Sequence, residues 1–156
     1  MFPILVVDDD PMIRQMLQRI LAYAGWPAEG VADGQEAAEW LARRRPGLLL
    51  LDLSLPTLDG EELAARLRAR FGADVPILAI SASDQAAAMA RRIGALSYLP
   101  MPFEVPELLR AVQQAFGFDP RDPADTELTL RTAQAAHDHA RELRHGGADL
   151  LRQRDG

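Results

Sequence analysis

Two short apolar runs, each uninterrupted and each ending in aspartate, constrain the fold of this chain more than any other feature. Ile4-Leu5-Val6-Val7 leads into Asp8-Asp9-Asp10, and Leu48-Leu49-Leu50-Leu51 leads into Asp52. Runs of this length, bounded by turn signals and without polar alternation, suit strands buried on both faces of a parallel sheet. Open parallel sheets gather their chemistry at the carboxyl ends of the strands. Two neighbouring strands ending this way would bring three carboxylates within a few ångströms of one another. Such charges oppose each other's ionisation unless a cation sits among them. An oxygen-only ligand set of this kind suits Mg²⁺.

The rest of the chain supplies more of the same architecture. Strand-like and helix-like segments alternate as far as residue 116. Strands are expected at about Pro3–Val7, Pro27–Val31, Leu48–Leu51, Pro76–Ile80 and Ser97–Leu99. Helices are expected at Pro11–Ala24, Gly34–Arg44, Glu61–Phe71, Asp84–Ile93 and Val105–Ala115. Pro11 suits a first helical residue with Asp10 as its cap, and Ile13, Met16, Leu17, Ile20 and Leu21 form a helical apolar stripe. Five strand–helix pairs predict an α/β fold with a doubly wound five-stranded parallel sheet and helices on both faces. Residues 1–118 make this unit. Residues 119–156 read as a linker and a helical extension, with the helix over Thr126–His145 stopped by Gly146-Gly147.

Composition removes several function classes. The net charge of −6 argues against a nucleic-acid surface. Without cysteine there is neither a disulfide framework nor a thiolate metal site. No apolar segment approaches the ~20 residues of a membrane span, and no secretory signal opens the chain; the expectation is a cytoplasmic protein. All 17 basic residues are arginine.

In their order and spacing these residues resemble the receiver domain of two-component response regulators. The resemblance covers about Ile4–Phe116 and rests on Asp8-Asp9, Asp52, Pro56, Asp59-Gly60, Ser81, Gly94-Ala95, Tyr98 and Pro102-Phe103. It implies a flavodoxin-like (βα)5 fold in which Asp52 accepts a phosphoryl group from a sensor histidine kinase or a histidine phosphotransfer protein. Mg²⁺ would be held by Asp9, Asp52 and the Ser54 backbone carbonyl, with Asp8 acting through water or as an outer charge. Ser81 would donate to a phosphoryl oxygen, where a serine read alone is a solvated loop residue. Tyr98 would be the switch aromatic, or else a half-buried strand tyrosine. Ser54 and Ser83 would tune the lifetime of the phosphoryl group, and Met101-Pro102 would be a cis peptide. The protein would be a regulatory phosphoacceptor rather than an enzyme acting on others.

The pattern breaks at Met101, where the family carries a lysine whose ammonium pairs with the phosphoryl group. Methionine carries no charge and donates no hydrogen bond. Arg91 or Arg92 is a candidate replacement, against their ordinary reading as solvated helix charges. Pro100 also removes a backbone donor near that loop. Two readings therefore stand: a phosphorylatable receiver with altered activation, or a phosphorylation-independent adaptor or dimerisation module. A haloacid-dehalogenase phosphatase would need an acid at Ser54 and a lysine. A dinucleotide-binding protein would need a glycine-rich turn in place of Asp8-Asp9-Asp10.

The segment Gly117–Gly156 is too short for the DNA-binding output domain usual in the family, and acids offset its six arginines. Signalling through contacts with a downstream effector protein is expected instead. The small-residue seam Ala133, Ala136, Ala140 and Leu143 suits a homodimer contact or a helix folded back on its own domain. His137, His139 and His145 read as solvated helix residues, since positions two apart on a helix face different ways.

Overall fold

A computed structural model of the chain describes residues 2–54 and 59–117, together with Gln134, Asp138 and Arg141. Pro56 and the rest of the expected extension lie outside the described residues. Gln134, Asp138 and Arg141 are exposed helical positions.

Five strands form one parallel sheet: β1 (Ile4–Val7), β2 (Ala28–Val31), β3 (Leu48–Asp52), β4 (Ile77–Ser81) and β5 (Ser97–Pro100). Their spatial order is β2-β1-β3-β4-β5. Five helices connect or follow them: α1 (Pro11–Tyr23), α2 (Gly34–Arg43), α3 (Gly60–Phe71), α4 (Ala86–Ile93) and α5 (Val105–Ala115).

The side-chain period of two along each strand divides the core into two layers. Ile4, Val6, Leu48, Leu50, Leu78 and Ile80 face α1 and α5, where they meet Leu17, Leu21, Leu108 and Val112. Leu5, Val7, Leu49, Leu51, Ile77 and Ala79 face the other way, against Ala37, Leu41, Leu63, Leu67 and Ile93 of α2, α3 and α4. Because both faces are covered, the central strands β1, β3 and β4 carry no polar alternation. Burying one such leucine contributes roughly 1.5–3 kcal/mol, so the sheet is held by side-chain burial as well as by its ladders.

Three helix starts have a local cause in a capping aspartate. The Asp10 carboxylate accepts from the N–H groups of Met12 (2.8 Å) and Ile13 (3.4 Å), confirming its role as a cap. Asp33 and Asp59 cap α2 and α3 by accepting from Glu36 and Glu62. Gly94 ends α4 at φ +67°, a left-handed conformation that costs glycine little. The carbonyls of Ile93 and Gly94 accept from Arg68, which ties the end of α4 to α3.

Several expected boundaries shift by one or two residues. Helix α4 starts at Ala86 instead of Asp84, because the Ser83 hydroxyl accepts from the Gln85 N–H in a turn ahead of it. Strand β4 runs on to Ser81, which is thus a buried strand residue and not a solvated loop serine. Strands β3 and β5 each reach one residue further than expected, to Asp52 and Pro100.

Candidate functional site

The chain passes from β1 to the edge strand β2, then crosses back to place β3 on the other side of β1. The crevice at the carboxyl ends of β1 and β3 is the topological switch point of the sheet. In the β1–β3 register Val7 lies opposite Leu51. The next step therefore sets Asp8 beside Asp52, across an interstrand spacing of about 4.8 Å. Asp8, Asp9 and Asp52 each bring a carboxylate oxygen to within 4.8 Å of the others.

The three acids differ in setting. Asp8 is 2% exposed, Asp52 is half-buried and Asp9 is exposed. Burial, more than any other influence, pushes the Asp8 carboxyl up to about 6 from an ordinary 3.8. The Asp10 N–H, donating to Asp8 Oδ1 at 2.9 Å, opposes that rise. The charge and hydrogen bonding of Asp52, and then the charge of Asp9, add to it. Such an acid gives up its proton more readily when a cation takes the place of its missing solvent. The donor set fits a hard divalent ion on this ground, and carboxylate oxygens with no nitrogen or sulfur among them fit Mg²⁺.

Asp52 is positioned by its own turn, with Oδ1 accepting from the Ser54 N–H at 2.8 Å. The Ser54 hydroxyl reaches across to β4. It accepts from the Ala82 N–H at 3.2 Å and lies 3.5 Å from the Ser81 hydroxyl. Ser81 is 1% exposed, and its oxygen accepts from the Ser83 N–H at 3.0 Å. The structure thus brings Ser54 and Ser81 together at the edge that carries the acids.

Two residues expected at the site stand apart from it. Tyr98 is 41% exposed and turned outward, lining a shallow groove with Ala87, Ala90 and Arg91 of α4. Met101 packs against the core layer on the α1/α5 side, together with Ile13 and Phe103. Its N–H donates to the Ser81 carbonyl at 2.9 Å, and Met101-Pro102 is cis as expected. Among the described residues no arginine forms an ion pair with the acids; the ion pairs are Arg44–Glu29, Arg66–Glu62 and Arg92–Glu61. Arg91 lines the α4–β5 groove instead.

Sequence reading missed one contact and saw another only in part. The Arg14 guanidinium donates to the Asp8 main-chain carbonyl at 2.9 Å, a pairing that spacing along the chain does not announce. Ser54 was legible as a neighbour of Asp52, whereas its bond to the Ala82 N–H depends on β3 and β4 lying side by side.

A parallel sheet in this strand order, with an acidic cluster at its switch point, has the architecture of a receiver domain. The sequence model of the response regulator receiver domain matches residues 4–113, and the chain belongs to that family of two-component signalling proteins. Among curated relatives, the response regulator MprA of Mycobacterium leprae is 43% identical over 112 residues, covering 70% of this chain and 49% of MprA. The chain spans about half of that relative's length. Among solved structures, the receiver domain of the sensor histidine kinase PA1611 from Pseudomonas aeruginosa is 33% identical with a TM-score of 0.66, covering 74% of this chain and 98% of that one. It carries a magnesium ion coordinated in its active-site cleft. TrrA of Thermotoga maritima, solved in complex with Mg(2+)-BeF, is 28% identical with a TM-score of 0.65, covering 74% of this chain and 99% of that one. No helix among the described residues is long and apolar enough to cross a membrane.

Proposed function

We propose that this chain is a phosphoacceptor in which Asp52 takes a phosphoryl group from the phosphohistidine of a sensor kinase or phosphotransfer protein. The convergence of the Asp8, Asp9 and Asp52 oxygens within 4.8 Å is the observation that supports this most directly. The Ser54 N–H holds one Asp52 oxygen, and the other attacks phosphorus. As the new O–P bond forms, the P–N bond breaks, and the imidazole of the donor leaves with the electron pair and takes up a proton. The product is an acyl phosphate on Asp52.

Asp9, Asp52 and the Ser54 carbonyl would hold Mg²⁺, with Asp8 behind them. When bound, the ion offsets the negative charge spread over the phosphoryl oxygens. Ser81 donates to a phosphoryl oxygen after giving up its contact with the Ser54 hydroxyl. The β4–α4 loop, whose Ala82 N–H bonds to Ser54, feels that change. Tyr98 then has the space vacated by Ser81 to turn into. Met101 contributes packing, not charge, so activation proceeds without the family's lysine. Transfer and loss of the phosphoryl group are catalysed by the domain itself. Residues 1–118 form the receiver and 119–156 a linker and helical extension. Output passes through protein contacts in the cytoplasm, with a homodimer as one form of them.

Acetyl phosphate with Mg²⁺, followed by intact mass, tests this reading. The wild-type chain gains the mass of one phosphoryl group and Asp52→Asn gains none. A wild-type chain that stays unmodified leaves only the phosphorylation-independent adaptor.

A further inference from the structure

The turn that carries Asp8 and Asp9 is gripped from outside the acid cluster. The Asp8 N–H donates to the Val31 carbonyl at 3.2 Å, and its carboxylate accepts from the Asp10 N–H. Its main-chain carbonyl has left the strand ladder and accepts instead from Arg14 Nη1 at 2.9 Å. Arg14 makes no ion pair among the described residues, so its bond is to the peptide and not to a carboxylate.

To reach that carbonyl from α1, the Arg14 stem lies against Gly30 of β2. A Cβ placed on Gly30 would meet Arg14 Cγ at 2.7 Å, Arg14 Cδ at 2.8 Å and Gln18 Oε1 at 2.5 Å. Glycine weakens a strand interior, and close approach by another group is a physical reason to find it there. Gln18 can turn its amide aside, but the other two atoms in the way belong to the middle of the arginine stem, so relieving the clash also means shifting that stem and the guanidinium it carries.

We propose that Arg14, seated on Gly30, is a positioning residue that fixes the Asp8-Asp9 turn in the geometry that binds the divalent cation. The inference rests on the reading of this cluster as a Mg²⁺ site. Groups that orient metal ligands from outside their first layer typically change metal affinity ~10–100-fold when removed. A contact serving the fold alone would alter stability and leave the metal dissociation constant where it was.

The test is the Mg²⁺ dissociation constant of the full chain at neutral pH, measured calorimetrically, with the thermal midpoint of each metal-free variant recorded beside it. Arg14→Gln and Gly30→Ala should each weaken Mg²⁺ binding by about tenfold or more. Arg14→Lys, whose ammonium still donates to a carbonyl, should recover most of the loss. Unchanged affinity in either weakening variant, or no recovery with lysine, overturns the proposal while leaving the Mg²⁺ site in place. Should Arg14→Gln fail to fold, Gly30→Ala decides the matter by the same criterion. A wild-type chain that does not bind Mg²⁺ overturns both this proposal and the function on which it rests.

Discussion

The two halves of the sheet's carboxyl edge are furnished differently. Between β1 and β3, two of the three acids are positioned by identifiable contacts. Asp8 is held through its N–H, its carbonyl and its side chain, and Asp52 through the Ser54 N–H. Between β4 and β5, the hydroxyl of Ser81 is in place, but Tyr98 faces outward and Met101 is drawn into the apolar layer. The half that would bind metal and accept phosphorus has its three acids within reach of one another. The half that would sense the result lacks its cation. Substitutions in the two halves should therefore have different signatures.

The largest effect belongs to the acid half. Asp9→Asn removes a charged oxygen at the exposed side of the cluster and should slow Mg²⁺-dependent phosphoryl uptake roughly 1,000-fold, about 4 kcal/mol of barrier. Rates from a time course of intact mass would check this, and uptake within tenfold of wild type would break the division.

Asp8 comes next, and its effect depends on pH. Its carboxyl is pushed up to about 6 from 3.8, so the folded protein holds that proton more tightly than the unfolded chain does. This contribution is fully present below about 3.8, and metal-free stability falls as pH rises from there to about 6, by roughly 3 kcal/mol at most. Asp8→Asn should lack that slope and be the more stable protein at neutral pH without metal. Urea unfolding at several pH values would show it, and parallel curves for the two proteins would count against a strained acid cluster.

Met101→Lys sharpens the comparison from the other half. Restoring an ammonium at that position should speed phosphoryl uptake roughly tenfold, since a charge-assisted contact is worth ~1.5–3 kcal/mol. It should also cost about 1 kcal/mol of stability, because Met101 packs against the core. An unchanged uptake rate would mean that phosphoryl uptake has no use for a cation at this position. The smallest effect is at the seam between the halves. Ser54→Ala leaves the Ala82 N–H without its acceptor at an exposed site and should lower stability by about 0.5 kcal/mol in the same unfolding assay.

The fold was legible because its three central strands are buried on both faces. Leu48–Leu51 and Ile4–Val7 carry no polar alternation to confuse the reading, and Asp10 marks the start of α1. The acid cluster was legible for a related reason, since strand ends in a parallel sheet collect at one edge. Ser81 was harder: a serine followed by Ala82-Ser83 reads as loop until burial by the neighbouring strands is known. The aspects of Tyr98 and Met101 were not legible. Strand β5 lies at the sheet edge, where exposure on both sides weakens the pattern that assigns a face. Arg14 was missed because its partner is a main-chain carbonyl, and carbonyls leave no trace in side-chain spacing.

The central claim is that a cation gathers Asp8, Asp9 and Asp52 so that Asp52 can take phosphorus. A crystal structure of the full chain grown with Mg²⁺ and beryllofluoride tests it most directly. The account predicts beryllium on the Asp52 carboxylate and a cation ~2.0–2.1 Å from oxygens of Asp9, Asp52 and the Ser54 carbonyl. Side chains spread apart around water, with no beryllofluoride on Asp52, would contradict it.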